Sequence, residues 1–114
     1  MTLTNKKCVP CKGGIPPLEY SEIAKLKAEV PGWQAVEEYK IWRLRRDYKF
    51  KNFAEAMEFI NRVAELAETE GHHPNISIHD WNKVNLELYT HKINGLHEND
   101  FILAAKIDNA IPIY

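Results

Sequence analysis

The sequence predicts an α+β fold: a two-layer sandwich in which a four-stranded antiparallel sheet carries three helices on one face. Three observations lead there. The 114 residues are enough for one domain with one core. A content of 45% hydrophobic and 27% charged residues is that of an ordinary globular chain, not of a disordered one. Apolar residues recur at helical spacing in three segments and at every second position in two others, in the order helix, hairpin, helix, hairpin, helix. Strands joined as hairpins pair antiparallel, so the helices collect on one face of the sheet.

Residues 1–17 are expected to form an extended N-terminal arm, because Gly13-Gly14-Ile15-Pro16-Pro17 can continue neither a helix nor a central strand. Residues 18–114 are expected to form the single domain. Ser21 is the expected cap of a helix carrying Ile23, Leu26 and Val30 on one stripe, with Glu22 in the first turn and Pro31-Gly32 as its end. Trp33 to Val36 reads as a strand that turns near Glu37 to Lys40. In its partner, Trp42, Leu44, Arg46 and Tyr48 alternate with Arg43, Arg45 and Asp47. That alternation, with Glu37, Glu38 and Asp47 close by, makes Arg43-Leu44-Arg45-Arg46 a solvated strand face rather than a phosphate site.

Asn52 and Glu55 resemble a capping box opening the longest helix, Asn52 to Glu70, whose Phe53, Ala56, Met57, Ile60, Ala64 and Ala67 keep helical spacing. Gly71 supplies the stop, and His72-His73-Pro74 leaves the helix extended because the residue before proline avoids the helical region. Ile76 and Ile78 begin the second hairpin, which turns near Asp80 to Asn82. Beyond the turn Val84, Leu86, Leu88 and Thr90 share one strand face, while Asn85, Glu87, Tyr89 and His91 share the other. Asn94-Gly95 breaks the strand, and Glu98 to about Ile107 forms a last helix burying Phe101, Ile102, Ala105 and Leu103. Ile111-Pro112-Ile113-Tyr114 is apolar for a free tail, which points to docking on the body or on a neighbouring subunit.

Fifteen Lys and Arg against sixteen Asp and Glu give a net charge of −1, so the positive field of a nucleic-acid binder is missing. No apolar run approaches the roughly 20 residues of a membrane span, and the opening MTLTNKKCVPCKGG lacks the apolar core of a secretory signal. The cytoplasm is the expected compartment. Cys8 and Cys11 are the only two cysteines; a lone pair in a Lys/Gly/Pro-rich leader reads as a reduced leader rather than a redox or zinc site.

The five histidines all fall between His72 and His97, and imidazole is the side chain suited to both acid and base work near neutral pH. His72 and His73 sit at a helix exit and His91 at a strand end, places where sites are commonly built. Pro74 restricts the placement of His73. Two blander readings stand beside this one. The pair could be polar filler favoured by the helix dipole, and His72, His73, His79, His91 and His97 could ligate a metal, although neither HExxH spacing nor a thiol set is present.

The stretches Glu68-Thr69-Glu70-Gly71-His72-His73-Pro74, Trp81-Asn82-Lys83-Val84, Leu88-Tyr89-Thr90-His91, Gly95-Leu96-His97-Glu98-Asn99-Asp100 and Leu103-Ala104-Ala105 together resemble the pterin-4a-carbinolamine dehydratases, over roughly Leu18 to Asp108. The resemblance implies a four-stranded sheet with three helices and dehydration of 4a-hydroxytetrahydrobiopterin to the quinonoid dihydropterin, in recycling the cofactor of aromatic amino acid hydroxylases. It implies His72, His73 and His91 as catalytic groups, with no metal or cofactor required. Glu68 and Asp100 are the matching acidic residues, either of which would orient an imidazole, and Pro74, Thr90 and Trp81 complete the expected substrate-binding or orienting set. It also implies a homodimer or homotetramer. Two other functions remain open: an enzyme acting on another, molybdopterin-related pterin, or a dimerisation module, since animal members bind a homeodomain transcription factor. Two departures stand out. Ile76 occupies a place where relatives often carry an aromatic, leaving Trp81 as the candidate wall of the pterin pocket, and His97 stands where Ser or Thr usually caps the last helix, so that Asp100 is the expected source of the cap.

Overall fold

A computed structural model describes residues 3–10 and 13–110; Cys11 and the expected docking of Ile111 to Tyr114 lie outside them. The elements follow the predicted order: α1 (Tyr20–Lys27), β1 (Gln34–Glu38), β2 (Ile41–Lys49), α2 (Phe53–Glu70), β3 (Asn75–His79), β4 (Lys83–Leu88) and α3 (Glu98–Ala110). The four strands form one antiparallel sheet in the order β1-β2-β4-β3. Pairing of Ala35 with Leu44 and of Leu44 with Leu88 aligns one apolar row across three strands, and Ile78 with Val84 and Val84 with Tyr48 aligns another. These rows face a core that includes Ile23 of α1, Ala56, Phe59 and Val63 of α2, and Phe101 to Ala105 of α3.

Local chemistry explains the boundaries, including those that differ from expectation. Ser21 does not cap α1. The helix starts at Tyr20, and Glu19 is the cap residue, its N–H donating to the Glu22 carboxylate at 3.2 Å. α1 also stops at Lys27, three residues before Val30, because Glu29 and Val30 bond back to Leu26 and Lys27 and tighten the chain. β1 begins after Trp33, whose buried ring donates its Nε1–H to Asp108 at 3.0 Å. Burial pushes the Asp108 carboxyl up, against the Trp33 N–H and the Arg46 guanidinium that both work to lower it. Only Tyr39 and Lys40 form the first hairpin turn, both at positive φ.

α2 opens as expected, with the Asn52 side chain accepting from Glu55 N–H at 2.8 Å, and closes on Gly71 at φ 65, the left-handed cap that glycine adopts without strain. β4 ends at Leu88 rather than Thr90. The alternation of burial nevertheless runs on to Thr90, which bridges to Gly95 around a 3₁₀ turn at His91–Ile93.

Arg43-Leu44-Arg45-Arg46 is not simply a solvated face. Arg43 is buried, and the register sets Arg45 opposite Glu87, so both guanidiniums grip one carboxylate at 3.0 and 2.8 Å. Although burial works to raise it, the Arg45 and Arg43 contacts hold Glu87 below the usual carboxylate range. Arg46 points to the core side and pairs with Asp108 at 2.9 Å.

The arm departs most from expectation. It begins with a 3₁₀ turn at Leu3–Asn5, and Leu3 is buried in the core against α3. This second cover explains why α3 buries all of Phe101 to Ala105 rather than a single stripe. The chain returns past Gly95, where a Cβ would lie 2.5 Å from that of Pro17, and Leu18 N–H then donates to Leu96 at 2.8 Å.

Candidate active site

The second hairpin assembles the site by register. Asn75 pairs with Glu87, so the same antiparallel count carried two residues outward sets His73 beside Tyr89, and His72 beside Thr90. Gly71 ends α2 just before this point and delivers the pair to the end of β4. His91 follows on the strand face of Tyr89. The result is a cleft of about 230 Å³ lined by Val9, Gly71, His72, His73, Tyr89, Thr90, His91, Lys92 and Asn99.

The two neighbouring histidines are held by different carboxylates. His72 Nε2 lies 2.6 Å from Asp100 Oδ1, and Asp100 is fully buried. The other oxygen of Asp100 accepts from Thr90 Oγ1–H and from His97 N–H, each at 2.9 Å. Asp100 therefore caps the start of α3 and fixes His72 at once. An ionised carboxylate can only accept, so the short contact requires a hydrogen on Nε2 and leaves Nδ1 of the neutral ring as the acceptor. His73 Nε2 makes an equivalent 2.6 Å contact with Glu68 Oε2, but in the open, with side chains 61% and 77% exposed. Glu68 reaches it from the last turn of α2.

His91 is supported from below by rings and charge. Its ring centroid is 4.2 Å from that of Tyr89, and the Arg43 guanidinium lies 4.8 Å from the Tyr89 centroid. Glu87 in turn holds Arg43, so the salt-bridged outer face of the sheet continues into the floor beneath His91.

These imidazoles, on α2's exit and β4's end, converge on one cleft. The family model for pterin 4 alpha carbinolamine dehydratase matches residues 16–110. The chain belongs to this family. A protein of Rubrobacter xylanophilus named as a pterin-4-alpha-carbinolamine dehydratase is 50% identical over 106 residues, 93% of this chain and 95% of that one. A Rickettsia canadensis protein of the same name is 54% identical over 110 residues, 96% and 97% of the two chains. A crystal structure from Brucella melitensis, described as a transcriptional coactivator/pterin dehydratase, superposes with a TM-score of 0.72 at 33% identity, covering 82% of this chain and 96% of that one. Membership places the chain among the hydro-lyases.

Trp81, the candidate wall of the pterin pocket, is not among the residues that line this cleft. With Asp80 and Asn82 it forms the three-residue turn between β3 and β4, itself at positive φ and 60% exposed. It lies eight residues from Tyr89 along β4, about 26 Å at roughly 3.3 Å per residue, so it forms no wall of this cleft. Pro74 stands between His73 and β3 and fixes the direction in which the pair leaves the helix. The remaining histidines serve elsewhere. His79 ends β3 beside Asp80, and His97 Nδ1 accepts from Asn99 N–H at 2.9 Å, so the imidazole takes the place of a Ser or Thr cap. The cap thus comes from His97 and Asp100 together. Among the described residues no group of three or more His, Cys, Asp or Glu is placed to hold a metal ion, and no helix is long and apolar enough to cross a membrane.

Sequence reasoning missed Val9, Tyr89, Lys92 and Asn99 as lining residues. The signal for Tyr89 was present, since it shares strand parity with His91. Val9 and Asn99 gave none, because the arm meets α3 across 90 residues of chain.

Proposed function

We propose that this protein dehydrates 4a-hydroxytetrahydrobiopterin to the quinonoid dihydropterin by acid–base catalysis, with His72, His73 and His91 as the catalytic groups. The reading is carried by one observation, the convergence of three imidazoles on a single cleft, in a chain whose family is shown. A proton passes from the His72–His73 side to the 4a-hydroxyl, the C4a–O bond breaks and water leaves. The N5 lone pair forms the C4a=N5 double bond as His91 accepts the N5 proton. One proton leaves the enzyme and one returns to it at a different imidazole, so its proton count is unchanged, and exchange with water resets His91 and the donor before the next turnover. Asp100 holds the tautomer of His72, while Glu68 orients His73 and stabilises the charge it carries before it gives up its proton.

Positioned acid–base groups contribute about 10²- to 10⁴-fold, sufficient for an intermediate that already loses water slowly in solution. The substrate is the product of a tetrahydropterin-dependent aromatic hydroxylase, which makes the role one of cofactor recycling. Stopped-flow decay of 4a-hydroxytetrahydrobiopterin tests the proposal. Wild type should accelerate it and His73→Ala and His91→Ala should each lose at least about tenfold; decay that is the same with and without protein removes the activity.

A further inference from the structure

A pterin is a flat fused ring with polar edges and apolar faces, and the cleft supplies polar groups in plenty. Among the described residues that line it, Val9 carries the one aliphatic hydrocarbon side chain. Val9 belongs to the N-terminal arm, outside residues 16–110 matched by the family model, yet the arm is held firmly at Val9 and ahead of it. Val9 N–H donates to Asn99 Oδ1 at 2.9 Å, and Asn99 Nδ2 donates to Val9 O at 2.6 Å, a reciprocal clamp made by a side chain that is itself buried. Cys8 N–H donates to Glu70 Oε1 at 2.9 Å, Lys6 pairs with Glu98 at 2.8 Å, and Leu3 is anchored in the core. Ordering a chain segment costs about 1–2 kcal/mol per residue, and these contacts offset it. Their outcome is a β-branched apolar side chain with few rotamers, fixed at the rim of the cleft and 56% exposed.

We propose that Val9 is a substrate-contacting residue of this enzyme, the aliphatic wall against which one face of the pterin ring packs, and that Asn99 is the positioning residue that sets it. The arm is then part of the active site. This inference rests on the cleft being a pterin site. Because Asn99 immediately precedes Asp100, the element that carries the His72 partner also carries the clamp on the wall. Substrate packing and imidazole orientation are therefore set from the first turn of one helix.

The test uses the full chain and two readouts: steady-state dehydration, and binding of 7,8-dihydrobiopterin followed by fluorescence. Val9→Ala should raise KM for the carbinolamine and Kd for dihydrobiopterin by about tenfold, with kcat within twofold and the melting temperature unchanged, since Val9 is largely exposed. Val9→Asp should do more, and Val9→Ile should restore wild-type values. Asn99→Ala should raise KM similarly, and the double variant Val9→Ala/Asn99→Ala should be no worse than either single one, because both remove the same wall. Additive effects would mean that Asn99 touches substrate independently and would overturn its positioning role. Unchanged KM and Kd in both Val9→Ala and Val9→Asp would overturn the wall. If wild type binds dihydrobiopterin without dehydrating the carbinolamine, the catalytic reading fails while the Kd values still decide the wall; if it does neither, both fail.

Discussion

Asp100→Asn is the most informative single change, because it alters hydrogen-bond polarity with almost no change in shape. Asp100 accepts three hydrogen bonds through two oxygens, from His72, Thr90 and His97 N–H. Asparagine can keep its one oxygen toward Thr90 and His97, leaving the amide NH₂ to face His72. The ring must then present Nε2 as an acceptor and carry its hydrogen on Nδ1, the opposite tautomer. The reverse orientation would set an amide donor against the buried His97 N–H, at about 1–3 kcal/mol, so the first is preferred. We expect kcat to fall at least about 10²-fold, equivalent to roughly 2.7 kcal/mol of transition-state stabilisation. Stability should change far less, by about 0.3–1 kcal/mol, the value of a carboxylate in the first turn of a helix. Stopped-flow dehydration and calorimetric melting measure the two independently. A variant that keeps wild-type kcat while melting earlier would show that Asp100 is only a helix cap, and the orientation argument would be wrong.

The matched change Glu68→Gln should cost less than about tenfold in kcat, because the Glu68–His73 contact is largely exposed and solvent competes for it; a loss as large as that of Asp100→Asn would refute this ranking. Glu87 is held below its ordinary value in the fold, so its stabilisation is complete above the unfolded value of about 4.3 and is lost as pH falls through the folded one. Urea melts at pH 7 and pH 3.5 should therefore show a smaller acid loss for Glu87→Gln than for wild type, and equal losses would contradict it. Burial, with Glu70 adding to it, pushes the Cys8 thiol up to about 12, so in a Cys11→Ser background its disulfide-exchange labelling at pH 7.5 should run at least about tenfold slower than a free thiol's, and recover on denaturation. Labelling at the free-thiol rate would show that the arm does not stay docked. Gly71→Ala should cost about 1 kcal/mol, roughly 4 °C in melting temperature, because the site at φ 65 has open space but the wrong backbone for an L side chain; an unchanged melting temperature would refute the left-handed cap.

Much of this arrangement was readable from periodicity. Parity along β4 put Thr90 among the buried side chains and His91 on the other face, and Gly71-His72-His73-Pro74 marked the exit of α2. The hairpin count that sets the pair beside Tyr89 and Thr90 needs only the position of the three-residue turn Asp80–Asn82, and the same count removes Trp81 from the site. What sequence did not disclose depends on contacts distant along the chain. The Asn99 side chain meets Val9 through the main-chain N–H and C=O of Val9, which every residue but proline carries and which leave no compositional trace. Ser21 has better cap chemistry than Glu19, yet Glu22 bonds back to the Glu19 N–H and starts the helix two residues earlier. The Arg43 and Arg45 side chains look like solvent-facing charges until the register brings Glu87 between them.

The two histidine–carboxylate pairs differ in a way that bears on how protons move. His72 and Asp100 have side chains 12% and 0% exposed, whereas His73 and Glu68 are largely in solvent. A buried pair tied into a helix cap cannot reorient without breaking the Thr90 and His97 bonds, so it suits holding one tautomer through many turnovers. An exposed pair exchanges protons with water rapidly and can move toward a departing hydroxyl. In the proposed dehydration, delivery of the proton therefore falls to His73, with His72 fixing the geometry of the pair. This division accounts for two adjacent imidazoles where one acid would satisfy the stoichiometry. It also explains why loss of the exposed carboxylate should be mild and loss of the buried one severe.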